Sequence, residues 1–107
     1  MPHQRLDDYI EDFLTYLQIE KDCSPLTIRN YKHYLEKFKD WLHTENLPPT
    51  PSSIDLPIIK NYRIYLSNYT DEKGEPLQKL TQSYYMIAIR SFLRYLMKND
   101  VKTLTPE

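Results

Sequence analysis

Glycine is nearly missing from this sequence: Gly74 is the one glycine in 107 residues. Phosphate-cradling loops and the tight turns of small barrels both need residues free to adopt positive φ, which argues against a nucleotide-binding α/β fold. Cysteine is as scarce. Cys23 alone cannot form an internal disulfide, which fits a reducing, cytoplasmic setting. No run approaches the roughly 18 apolar residues of a spanning helix, so no membrane anchor is expected. Met1 to Asp8 has no apolar stretch behind a basic start, so no signal peptide is expected either. Neither sign of charge dominates, with 14 Lys+Arg against 15 Asp+Glu and a net charge of −1. Hydrophobic residues at 40% and charged residues at 27% suit one compact globular domain and argue against a disordered tail.

What the sequence does contain is apolar residues at helical spacing in four stretches, separated by proline-rich or polar segments. The first, about 6–21, places Leu6, Tyr9, Ile10, Phe13, Leu14 and Leu17 on one side and Asp7, Asp8, Glu11, Asp12 and Glu20 on the other. The second, about 24–45, opens with Ser24 as a cap and Pro25 at the first helical position, where a missing N–H costs nothing. Ile28, Tyr31, Leu35, Phe38 and Leu42 then step by three and four down one stripe. Pro48, Pro49 and Pro51 cannot continue that helix. The third, about 55–69, starts at Asp55 and buries Ile58, Tyr62, Tyr65 or Leu66, and Tyr69; Asp71 to Pro76 is a polar turn. The fourth, about 80–99, turns Tyr85, Met86, Ile89, Phe92, Leu93 and Leu96 inward, and Asp100 to Glu107 is a polar exit. No segment alternates with period two for long enough to make a strand. The expectation is a small all-α bundle of four helices in one domain, 1–107.

Charge is distributed unevenly along these helices. Residues 1–22 hold Arg5 and Lys21 against six acids, a local charge of −4. Residues 77–102 hold Lys79, Arg90, Arg94, Lys98 and Lys102 against Asp100, a local charge of +4. A surface polarised in this way can bind a polyanion at near-zero total charge. Solvated helix faces account for the same asymmetry equally well. At the start of the second helix Thr27, Asn30, His33 and Lys37 lie opposite the apolar stripe, with Arg29 and Lys32 beside them. Hydroxyl, amide and guanidinium groups of this kind contact DNA backbones and base edges. An ordinary capped helix with a polar outer face has the same composition. Lys79, Thr81, Gln82, Ser83 and Tyr84 open the fourth helix in similar fashion, with Arg90 and Arg94 further along. Spacing alone does not show that the two helices converge.

Catalytic chemistry finds no support. His33 and His43 are ten positions apart on one helix, about 15 Å by helical rise, and neither has a ligand four residues away, so no metal site is expected. A tyrosine nucleophile needs basic groups around it in a rigid cleft, whereas helically spaced tyrosines such as Tyr31 and Tyr62 read as core residues with hydroxyls near the surface. No cofactor is implied.

The segment Ser24-Pro25-Leu26-Thr27-Ile28-Arg29-Asn30-Tyr31, followed by Leu35, Phe38 and Trp41-Leu42, resembles the second helix of the N-terminal core-binding domain of tyrosine recombinases, the phage integrases and Xer-type enzymes. Thr81 and Ile89-Arg90-Ser91-Phe92-Leu93-Arg94-Tyr95-Leu96 resemble that domain's last helix. Leu6 to Leu17 resembles its first helix and Asp55 to Leu66 its third, so the likeness covers about Leu6 to Pro106. The resemblance implies an all-α, SAM-like orthogonal bundle forming one half of a clamp around double-stranded DNA at a recombination site. Carried over by position, it assigns DNA contacts to Thr27, Arg29, Asn30 and His33 on the second helix. On the fourth it assigns them to Lys79, Thr81, Gln82, Tyr84 and Arg90. Leu80 and Tyr85 stand where a polar or basic residue is frequent in the family. The resemblance further implies protomer contacts through the first helix and a separate catalytic domain in the same parent protein. Catalysis would belong to that domain, this chain being an excised domain or the product of a truncated gene. The rival expectation is a helical protein-interaction module with no DNA role, its acidic first helix docking a basic partner.

Overall fold

The computed structural model describes residues 5–99, and among them four α-helices carry the chain: α1 (Leu6–Ile19), α2 (Pro25–Thr44), α3 (Leu56–Asn68) and α4 (Lys79–Lys98). His3 and the polar exit from Asp100 lie outside the described residues. Within them the single β-type pairing is an isolated bridge between Thr70 and Pro76, so the architecture is an all-α bundle.

Local chemistry fixes where each helix begins and ends. Ser24 Oγ accepts the N–H of Thr27 at 3.2 Å, and Asp55 Oδ1 accepts that of Ile58 at 3.0 Å. Each bond satisfies one of the amides a helix start leaves unpaired. The first helix begins where the Leu6 N–H donates to the Pro49 carbonyl at 2.8 Å, which ties it to the proline-rich loop. It ends at Ile19, two residues before Lys21. Asp22 turns to a positive φ of 50°, and the Cys23 N–H closes onto the Leu17 carbonyl at 3.0 Å. Asn46, at φ 58°, ends α2 in the same way, with the Leu47 N–H on the Leu42 carbonyl. Gly74, at φ 80°, sits in the turn before α4, where the Asp71 carboxylate accepts the N–H groups of Lys73 and Glu75 at 2.8 and 2.9 Å.

The core follows the apolar stripes, with a few additions. Leu6, Ile10, Phe13 and Leu17 are buried on α1; Leu35, Phe38, Trp41 and Leu42 on α2; Tyr62 and Leu66 on α3; and Tyr85, Ala88, Ile89, Phe92, Leu93 and Leu96 on α4. Ile28, Tyr31, Ile58, Tyr65 and Met86 pack at its margin, half-buried. Pro51 and Ile54 are also buried, one in and one just after a short 3-10 turn (Pro51–Ser53). Neither has periodic neighbours, so neither stands out in the sequence.

The aromatic side chains fix how the helices sit. Phe13 of α1 meets Tyr31 of α2 and both Phe92 and Tyr95 of α4, at ring separations of 6.2, 5.5 and 5.3 Å. Phe38 and Trp41, further along α2, meet Tyr62 of α3 at 4.9 and 5.1 Å. Removing a ring from such a cluster, as in Phe13→Ala, costs about 3–5 kcal/mol. Tyr16 of α1 packs on Tyr95 near the end of α4 at 4.9 Å. That contact keeps acidic α1 at the C-terminal end of α4. The N-terminal half of α4 is left beside the starts of α2 and the face of α3.

Candidate nucleic-acid interface

The starts of α2 and α4 converge. Thr27, Asn30, Tyr31 and Tyr34 form one wall of a surface groove whose other wall is Tyr84 and Ile87 of α4. Beside this groove, His33 Nε2 and the Tyr85 hydroxyl lie 3.1 Å apart, linking the two helices by a hydrogen bond. The His33 ring meets Tyr34 and Tyr85 edge-on. Tyr34 and Tyr85 in turn pack at 4.6 Å. Burial, and then the neighbouring phenols of Tyr34, Tyr69 and Tyr65, push the Tyr85 pKa up, so this hydroxyl stays protonated and able to hold the link. His33 therefore commits one ring nitrogen to joining the helices, which leaves Nδ1 for anything outside.

A second groove opens on the other flank of α4. Lys79, Gln82 and Ser83 line it from α4, and Arg63 and Ser67 line it from α3. Gln82 uses one amide hydrogen on the Leu77 carbonyl at 3.0 Å, and Ser83 Oγ donates to the Lys79 carbonyl at 3.1 Å. Ser67 Oγ donates to the Ile64 carbonyl at 2.8 Å. The groups with most hydrogen-bonding capacity to spare here are the Arg63 guanidinium and the Lys79 ammonium. Arg63 and Ser67 were not among the residues assigned from the sequence. The available signal was the spacing of Lys60, Arg63 and Ser67 at i, i+3 and i+7, with no acid between Leu56 and Thr70.

Other assigned residues fall around these two grooves. Arg29 and Arg90 are exposed, on the outer faces of α2 and α4. Thr81 is half-buried on α4. Lys37 departs from the polar face expected for it: its ammonium sits 4.6 Å from the centre of the Tyr69 ring, just past α3.

Electrostatics separate the two ends of the bundle. Among the described residues both ion pairs centre on Lys39, whose ammonium lies 2.6 Å from Asp7 of α1 and 2.7 Å from Glu36 of α2. Hydrogen bonds to those two carboxylates push the Lys39 pKa up. Arg29, Lys32, Arg63, Lys79 and Arg90 pair with no described carboxylate, and α3 and α4 contain no acid at all. Asp12 of α1 and Glu20, just past its end, line a groove with Tyr95 and Asn99 at the C-terminal end of α4. Among the described residues no three His, Cys, Asp or Glu side chains gather as metal ligands, and no helix is long and apolar enough to cross a membrane.

The family described as "Phage integrase, N-terminal SAM-like domain" matches residues 10–100, and the chain belongs to it. Among curated relatives, the tyrosine recombinase XerC of Oceanobacillus iheyensis is 37% identical over 92 residues, 86% of this chain and 28% of that protein. XerC of Bacillus subtilis is 32% identical over 98 residues, covering 92% of this chain and 30% of the relative. The tyrosine recombinase XerD of Listeria innocua is 27% identical over 101 residues, covering 94% and 32%. The chain thus spans less than a third of the length of these relatives, and the stretch it matches is the N-terminal SAM-like domain. In fold it is similar to the crystallised N-terminal domain of a phage integrase/site-specific recombinase from Haloarcula marismortui. That structure superposes with a TM-score of 0.76 over 95% of this chain and 89% of that one, at 17% identity.

Proposed function

We propose that this chain is the DNA-gripping domain of a site-specific tyrosine recombinase, acting in the cytoplasm on double-stranded DNA. Strand cleavage and joining belong to a catalytic domain elsewhere in the parent protein. The observation that carries this reading is the meeting of α2 and α4: Thr27 and Asn30 share a groove with Tyr84, and Arg29, Lys79 and Arg90 of the same two helices pair with no described carboxylate. Arg29, Lys79 and Arg90, with Arg63 from α3, would contact phosphates and supply most of the affinity. His33 acts chiefly by holding α2 against α4, and Gln82 by holding the chain that leads into α4. The exposed acids of α1, Asp8, Glu11 and Asp12, suit contact with a neighbouring protomer on the recombination site.

Charge reversal tests the reading against a protein-interaction module with no DNA role. Fluorescence anisotropy of a labelled duplex of about 30 base pairs should show binding that weakens steeply with salt, because each neutralised phosphate releases a counterion. Arg29→Glu and Arg90→Glu should each weaken it at least tenfold, while Asp8→Lys and Glu11→Lys leave it intact or tighten it. Indifference to both arginine reversals, with folding preserved, would remove the basis for the proposal.

A further inference from the structure

The α2–α4 groove carries more than phosphate-binding chemistry. Leu80, Tyr84 and Ile87 recur at i, i+4 and i+7 on α4 and are 61%, 45% and 44% exposed. A helix in a small bundle gains nothing from turning such a stripe to water, and two of the three line the groove itself. Opposite them is Asn30, exposed, its side-chain amide bonded to no described residue. The same two helices carry exposed cations, Arg29 and Lys32 on α2 and Arg90 on α4, none of them ion-paired with a described carboxylate. An apolar wall, one free amide and flanking positive charge are together the complement of a polyanion that also carries methyl groups.

Resting on the DNA reading above, we propose that this groove selects A·T base pairs in the major groove, Asn30 reading adenine while Ile87 and Tyr84 cover thymine methyls. A side-chain amide can accept from adenine N6 and donate to N7 at once. The thymine C5-methyl projects into the same groove, and a G·C pair presents no methyl there. Thr27 lines the same groove with its Oγ1 accepting from Ser24 Oγ at 3.1 Å, which leaves its own hydroxyl hydrogen and its methyl for secondary contacts.

Uracil separates the methyl contact from hydrogen-bond readout of the base edges. Duplexes of alternating dA·dT and dA·dU present the same minor-groove atoms and the same adenine edge, and differ in the methyl. Anisotropy titrations of the protein with these two duplexes and an alternating dG·dC duplex, at one salt concentration, should rank dA·dT over dA·dU by about fourfold, the effect of burying one methyl-sized group. Binding to dG·dC should be weaker again, by about tenfold relative to dA·dT. Ile87→Ala should abolish the thymine-over-uracil preference while leaving dG·dC affinity unchanged. Asn30→Ala should narrow the gap between dA·dU and dG·dC. Ile87 and Asn30 are at the surface, and a far-ultraviolet circular dichroism spectrum checks that each variant keeps its helices. Equal affinity for all three duplexes, with normal salt dependence, overturns this inference and leaves the DNA reading standing. Absence of binding to any duplex at low salt overturns both and returns the apolar stripe to a protein partner.

Discussion

Tyr62 heads the fully enclosed side chains of the core, and its hydroxyl has no hydrogen-bond partner among the described residues. An unpaired buried hydroxyl costs about 1–3 kcal/mol relative to one that is satisfied. Tyr62→Phe should therefore raise stability by about 1 kcal/mol in urea unfolding, and a loss of that size would show that the hydroxyl is bonded after all. The same tyrosine gives the bundle a pH dependence. Burial, chiefly, pushes the Tyr62 pKa far above the ordinary tyrosine value of 10.0, and Tyr85 and Tyr95 move the same way. An acid whose folded pKa is raised contributes stability below its unfolded pKa and loses it as pH climbs through the folded one. Stability should hold up to about pH 10 and then fall. The fall in Tyr62→Phe should be shallower, by up to about 1.4 kcal/mol per pH unit. His33 and Tyr85 allow a further test at this scale. If their hydrogen bond joins α2 to α4, His33→Ala and Tyr85→Phe should each cost about 1 kcal/mol, and the double variant little more than either alone. Additive losses would mean that the two residues act separately.

At the scale of the helices, much was legible because the signals are local. Ser24 with Pro25, and Asp55, mark starts that a reading of caps finds, and both caps are made. Ser24→Ala and Asp55→Ala should each lower stability by about 1 kcal/mol in thermal or urea unfolding, and an unchanged midpoint would contradict the capping role. What the stripes did not reveal depends on contact between elements. Trp41 and Ala88 lie beside the stripe positions and are buried all the same, Trp41 against Tyr62 of α3, and Ile54 is buried just after the prolines. Lys37 has the polar spacing of a surface residue, but the Tyr69 ring draws it to the end of α3. Arg63 joins the candidate surface only because α3 lies along the flank of α4 that carries Lys79. Spacing within one helix cannot tell which other helix a face will meet.

For the molecule as a whole, the separation of charge is the feature that sequence and structure share. The counts along the chain already put acid at one end and base at the other. The fold packs α1 on the C-terminal end of α4 through Tyr16 and Tyr95, while α4 itself carries no acid along its length. The most direct test of the central claim is a two-dimensional amide NMR titration of the 15N-labelled domain with a short duplex at low salt. The account predicts shifts concentrated at 27–33 on α2 and at 79–90 on α4, with smaller ones near Arg63 and none along the acidic face of α1. Shifts centred on Asp7–Glu20, or spread evenly over the bundle, would contradict it.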